Sequence, residues 1–241
     1  MRDFSKMRHS GFKAYDIRGI VPTEVNEELA YRVARAYAQL YHPKKISVGY
    51  DIRPSSLSIA DAVIQGMNDA GVDVYNIGLC GTEMMYFTTF YYGLDGGFMI
   101  TASHNPKEYN GYKVYGPDGG QLVPRDANVL SRYVENISDL AHIPCTGSKE
   151  LLTRLGQDTV DLFIEEIYKQ STLKGNVGNL KIVYTPIYGS GNIPVRKILK
   201  RGGFTDVHIV ESQEKPDGNF PTVSAPNPEN QDALQLGIKL A

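Results

Sequence analysis

A chain of 241 residues that sets 25 lysines and arginines against 27 aspartates and glutamates carries a formal charge of −2, and no run of basic residues interrupts it. That balance excludes the basic field of a nucleic-acid binder. No apolar stretch approaches the ~18 residues of a spanning helix, and the two cysteines, Cys80 and Cys145, are too few and too far apart for a disulfide framework or a zinc knuckle.

Strands and helices are expected to alternate. Asn26 is a cap for a helix in which Leu29, Ala30, Val33, Ala34, Tyr37 and Leu40 form one apolar face. Lys45–Tyr50 reads as a strand, Ser56–Ala70 as a helix with Ile59, Val63, Ile64 and Met67 inward, and Val72–Ile77 as a strand. Thr82–Tyr92 reads as a helix, in which Tyr86, Tyr91 and Tyr92 are packing residues. Gly97–Ile100 is a short buried strand, Tyr112–Tyr115 a return strand closed by the turn Gly116-Pro117-Asp118-Gly119-Gly120, and Pro124–Glu135 a helix. After an irregular stretch near His142–Ser148 come a helix from about Asp158, a strand at Leu180–Tyr184, a helix at Ile193–Arg201, a strand at Val207–Val210 and a helix at Asp232–Leu240. The implied fold class is α/β, with two consecutive domains at 1–148 and 149–241 and mainly parallel, mixed sheets flanked by helices. The chain stops inside its last helix, so a fragment with an incomplete second domain is expected, with self-association through that domain. The opening MRDFSKMRHSGF lacks an apolar signal core, and a cytoplasmic location is expected.

The chemistry centres on Thr101-Ala102-Ser103-His104-Asn105-Pro106, just past the strand Gly97–Ile100. Ligands of open α/β sheets bind at the carboxyl edge of the strands. Asn105, preceding a proline, is pushed out of helical geometry. Parallel strands bring the loops after Tyr50, Ile77 and Thr101 together, and with them Asp51, Arg53, Thr82 and Ser103. A phosphoserine needs donors or a cation near it, and Lys113 supplies one. His104 beside Ser103 raises a serine hydrolase as an alternative. Neighbours in an extended loop diverge, however, and no G-x-S-x-G elbow is present. Asp51 and Arg53 read as a loop-ordering pair, and Gly189-Ser190-Gly191 as a tight strand-to-helix connection.

These segments resemble the α-D-phosphohexomutases, specifically bacterial phosphomannomutase/phosphoglucomutase enzymes. Phe12–Gly19 (FKAYDIRG) is similar to the family's first active-site loop, Gly49–Arg53 to its G-x-D-x-R segment, Thr101–Pro106 to its phosphoserine loop and Asn110–Lys113 to its N-G-x-K. Thr185–Asn192 and Pro216–Pro221 are similar to second-domain segments. The resemblance implies an intramolecular phosphotransferase that interconverts hexose 1-phosphate and 6-phosphate through a hexose 1,6-bisphosphate. It implies Ser103 as the phosphoryl carrier, with His104 and Lys113 as catalytic companions. Tyr15, Arg18 and Asn105 would be substrate-binding, and Mg2+ would be held through the Ser103 phosphoryl group. A small-molecule hexose phosphate is the implied partner, without nucleic acid or membrane.

The chain departs from the family pattern in lacking the D-G-D-x-D-R metal loop, the G-E-x-S-G-H sugar segment and the R-x-S-G-T phosphate loop. Taken alone it is therefore expected to have negligible mutase activity. A non-catalytic sugar-phosphate-binding module on the same fold is the rival reading. Sugar preference stays open among mannose, glucose and pentose phosphates. The opening loop leans towards phosphomannomutase/phosphoglucomutase, while Asn110–Gln121 with Thr185–Asn192 lean towards phosphoglucomutases of a second type.

Overall fold

The computed structural model describes residues 16–136, 145, 147, 151–173, 175 and 177–241. Tyr15, most of the His142–Ser148 stretch and the expected boundary after residue 148 lie outside the described residues. One six-stranded sheet organises the first unit. Its strands are β1 (Ile17–Ile20), β2 (Lys45–Tyr50), β3 (Asp73–Leu79), β4 (Gly97–Ile100), β5 (Tyr109–Tyr115) and β6 (Leu152–Arg154), in the order β1-β5-β4-β2-β3-β6. The β2–β3, β2–β4 and β3–β6 pairs are parallel, while β4–β5 and β1–β5 are antiparallel. The sheet is thus mixed, with a parallel centre.

Helices cover both faces. On one side lie α1 (Glu27–Tyr41), α2 (Ser56–Asp69) and α4 (Pro124–Asn136), and on the other α3 (Thr82–Tyr91). The α1 helix begins where the sequence places it. The Asn26 side chain accepts from Leu29 N, satisfying one of the amides a first turn leaves unpaired, and Glu27 and Glu28 sit at the positive end of the helix dipole. Val33, Ile46, Val48, Ile59, Val63, Val74, Phe98 and Ile100 are fully buried in one continuous cluster between these helices and the sheet.

Two strands lie outside the sequence pattern. β1 overlaps the end of the expected active-site loop, and β6 lies past the expected domain boundary yet pairs with β3 of the first sheet. β1 depends on Gly111. A Cβ there would collide with Ile17 O and stand 2.9 Å from Arg18 Cα, so only glycine lets the two backbones pair.

The second unit contains α5 (Gln157–Lys169), β7 (Lys181–Tyr184), α6 (Asn192–Arg201), β8 (Asp206–Ile209), a 3-10 turn at Glu211–Gln213 and α7 (Gln231–Leu240). β7 and β8 pair in parallel. Phe163 and Ile164 of α5 are buried in the same cluster as Met84, Met85, Met99 and Tyr115, so α5 closes the α3 side of the first unit. No helix among the described residues is long and apolar enough to cross a membrane.

Candidate active-site cleft

The loop after β4 is held by a ladder of short bonds. Thr101 N donates to Gly111 O at 2.9 Å, extending the β4–β5 pairing one residue past the strand. Thr101 Oγ1 accepts from Ser103 N at 2.9 Å and donates to Asp51 Oδ2 at 2.7 Å. Asn105 N closes a turn onto Ala102 O at 3.1 Å. Ser103 sits at φ 55°, in the left-handed region. A non-glycine residue there carries about 1 kcal/mol of strain, which persists only where surrounding bonds over-determine it. The result is an exposed serine hydroxyl at the carboxyl edge of the sheet.

Those surrounding bonds converge on Arg53. Its Nη1 donates to Pro106 O at 2.7 Å and Tyr109 O at 3.0 Å. Its Nη2 donates to Ser103 O at 2.9 Å and Asn105 O at 2.7 Å, and Nε donates to Asp51 Oδ2 at 3.2 Å. Every N–H of the guanidinium is therefore used within its plane. Arg53 is 3% exposed. Burial pushes its pKa down, and the Asp51 carboxylate opposes that shift. The expected loop-ordering role of Asp51 and Arg53 is what the geometry shows, on a larger scale than one ion pair. Asp51 also accepts from Arg53 N and from Ser56 Oγ, so both its oxygens are occupied.

A cleft of about 460 Å³ opens above Ser103 between the two units. Asp51, Thr82, Glu83, Thr101, Ser103 and Lys113 line it from the first unit, and Tyr184, Thr185, Gly189 and Ser190 from the second. Of the crevice residues expected from the strand ends, Asp51, Thr82 and Ser103 line it, whereas Arg53 lies beneath the loop. Lys113 reaches the cleft because it stands opposite Met99 on β5, on the α3 face of the sheet. Arg18, His104 and Asn105 are not among the lining residues. Arg18 lies level with Gly111 on β1, and its guanidinium divides between Asn105 Oδ1 at 2.9 Å and Asp16 Oδ2 at 2.7 Å. It thus braces the loop flank and also makes the ion pair that Asp16 offers.

His104 requires a correction. The loop is turned rather than extended, and the left-handed Ser103 brings its Oγ to 3.4 Å from His104 Nδ1 instead of pointing away. That distance is long for a hydroxyl–imidazole bond. Both residues are exposed, and His104 has no second partner among the described residues to orient its ring, so the pair lacks the orienting third group of a hydrolase triad.

A divalent cation does not fit the described residues by themselves. Among the described residues no three histidine, cysteine, aspartate or glutamate side chains gather to hold one. Asp51 already accepts four bonds from protein donors.

Comparison with known proteins agrees with this architecture. The family model described as phosphoglucomutase/phosphomannomutase alpha/beta/alpha domain I matches residues 9–141, and that of domain II matches residues 161–241. A phosphomannomutase of Escherichia coli (strain K12) is 36% identical over 219 residues, covering 90% of this chain and 47% of the relative. A phosphoglucomutase of Staphylococcus haemolyticus is 33% identical over 234 residues, covering 92% of this chain and 42% of the relative. The crystal structure of a phosphoglucomutase/phosphomannomutase family protein from Burkholderia thailandensis superposes with a TM-score of 0.80 at 25% identity, covering 97% of this chain and 50% of that one. The chain spans about half the length of the curated relatives it matches.

Proposed function

Because the chain belongs to the phosphoglucomutase/phosphomannomutase family, we propose that it supplies the phosphoryl-carrying part of a phosphohexomutase acting on mannose or glucose phosphates. The observation that carries this reading is the placement of Ser103. It is an exposed hydroxyl in a strained, over-determined loop, facing a cleft that also receives Lys113. The Lys113 side chain makes no hydrogen bond or ion pair with the described residues, so its ammonium is available to a dianion in the cleft.

In the proposed reaction the bond between phosphorus and Ser103 Oγ breaks as a hydroxyl oxygen of the hexose monophosphate bonds to phosphorus. The product is a hexose 1,6-bisphosphate, and the hydroxyl proton ends on Ser103 Oγ. Return of the other phosphoryl group completes the interconversion of 1-phosphate and 6-phosphate. Transfer of this kind rests on positioning and charge stabilisation. Arg53 and Thr101 hold the carrier in place, and Lys113 offsets the charge. Among the described residues, Ser103 would offer magnesium only a phosphoryl oxygen.

The test is intact mass after incubation with glucose 1,6-bisphosphate. The chain is expected to gain about 80 Da, one phosphoryl group, and Ser103→Ala to gain nothing. An unmodified wild-type chain, or an adduct that survives Ser103→Ala, removes the carrier role. A separate assay with glucose 1-phosphate is expected to show negligible turnover by residues 1–241 alone.

A further inference from the structure

The Arg53 guanidinium uses all its donors at its edge, which leaves only its two faces. The second unit lies against it: the guanidinium carbon stands over the Phe220 ring, 5.7 Å from its centroid, and Phe220 is 5% exposed. The contact is built from both sides. Gly218 lies so close to the first unit that a Cβ would collide with Ile52 O, stand 2.7 Å from Pro54 Cδ and 3.0 Å from Arg53 Cα. Ile52 in turn packs into the cluster of Ile187, Tyr188, Phe220 and Ala233.

Phe220 is itself held under constraint, at φ 50°. Turns at Phe220 N to Asp217 O and Val223 N to Phe220 O fix the loop, both at 3.1 Å. The fully buried Gln213 ties the adjoining Thr222 to Thr185, donating to Thr222 Oγ1 at 2.9 Å and accepting from Thr185 Oγ1 at 2.7 Å. A left-handed aromatic on one unit therefore caps the arginine that fixes a left-handed serine on the other.

We propose that Phe220 is a positioning residue for the Ser103 loop: by capping Arg53 it ties the loop's conformation to the seating of the second unit's Asp217–Phe220 turn. A cation over a desolvated aromatic face is stabilised relative to one left uncovered. Removing the ring exposes the guanidinium to water, which competes for the five in-plane bonds. The coupling is reciprocal, as any linkage between two sites must be. Loosening the Arg53 fork also loosens the Phe220 turn. The inference gives the carrier role proposed above a structural support, yet it concerns the order of the loop and can be tested without any transfer.

Hydrogen exchange on the whole chain reads it. In Phe220→Ala the amides of residues 103–109 are expected to exchange about tenfold faster, while those of the Val48 and Phe98 strands keep their protection. Phe220→Tyr, which retains the ring, restores the wild-type rate. Gly218→Ala unseats the turn with the ring intact and gives the same local loss. Arg53→Lys, which keeps the charge and loses the fork, speeds exchange at residues 217–223. Unchanged exchange at 103–109 in both Phe220→Ala and Gly218→Ala overturns the proposal. So does a loss in Phe220→Ala that Phe220→Tyr fails to restore. Wild-type protein that takes up no phosphoryl group but shows the expected exchange pattern removes the carrier role and leaves the coupling standing.

Discussion

The two units solve the same packing problem to different depths. In the first, a sheet covered on both faces buries Val48, Ile59, Val63, Phe98 and Ile100 completely. In the second, α6 buries none of its residues, and Leu180, Ile193 and Ile238 are each more than half exposed. The second unit's main buried cluster draws Ile52 from the first. The more deeply buried unit therefore carries Ser103, and the thin one borrows order from it through α5 and the Asp217–Phe220 turn. A site that must be held to a fraction of an ångström sits best on the stiffer scaffold.

Large-to-small substitutions test that contrast most severely. Phe98→Ala removes a fully buried ring that packs edge-on against Tyr37, and is expected to cost about 3–5 kcal/mol. Ile198→Ala, on the half-covered α6, is expected to cost about 1 kcal/mol, because water already reaches its site. Urea unfolding of both variants compares them, and equal costs would remove the distinction between the units. Arg53→Ala belongs with the severe class. It takes the Arg53 donors away from the carbonyls of Ser103, Asn105, Pro106 and Tyr109, of which Pro106 O keeps its bond from Tyr109 N, at about 3–5 kcal/mol.

The same contrast governs what could be read before any coordinates. Helix α1 is legible because its cap and its apolar stripe are local: Asn26 bonds an amide three residues on, and Val33 and Tyr37 face one way. The serine loop's place at the carboxyl edge of the sheet is legible because a short apolar strand ends just before it. β1 is not, since Ile17-Arg18-Gly19-Ile20 has no strand pattern of its own and exists through pairing across Gly111. Arg53 was visible as a partner for Asp51. Its four carbonyl acceptors lie some fifty residues away, and the ring that caps it lies in the other unit. Local chemistry is written in local sequence, and tertiary hydrogen bonding to backbone carbonyls leaves no mark on side-chain identity.

Strain offers a gentler probe of the stiff unit. Ser103 occupies a left-handed conformation that glycine adopts without penalty. Relief of about 1 kcal/mol of strain is set against the entropy a glycine adds to the unfolded chain, so Ser103→Gly is expected to change stability by less than about 0.5 kcal/mol while abolishing phosphoryl uptake. A loss of more than about 1 kcal/mol in that variant would mean the hydroxyl, rather than Arg53 and Thr101, holds the loop.

The smallest effect concerns how α1 and α2 lock together. Ser58 Oγ donates to Glu27 Oε1 at 2.6 Å, and this bond, followed by the Glu27 backbone amide, lowers the Glu27 pKa despite some burial. A carboxyl whose folded pKa lies below its unfolded value, about 4.3, contributes stability that is complete above the unfolded value. That contribution is lost as pH falls through the folded one. Ser58→Ala is thus expected to cost less than about 1 kcal/mol at pH 7, as suits an exposed bond. The gap between wild type and variant should shrink below about pH 4 as Glu27 protonates. Midpoints of urea unfolding at pH 7 and pH 3 measure it, and a gap of equal size at both would show that Ser58 acts through packing rather than through the carboxylate.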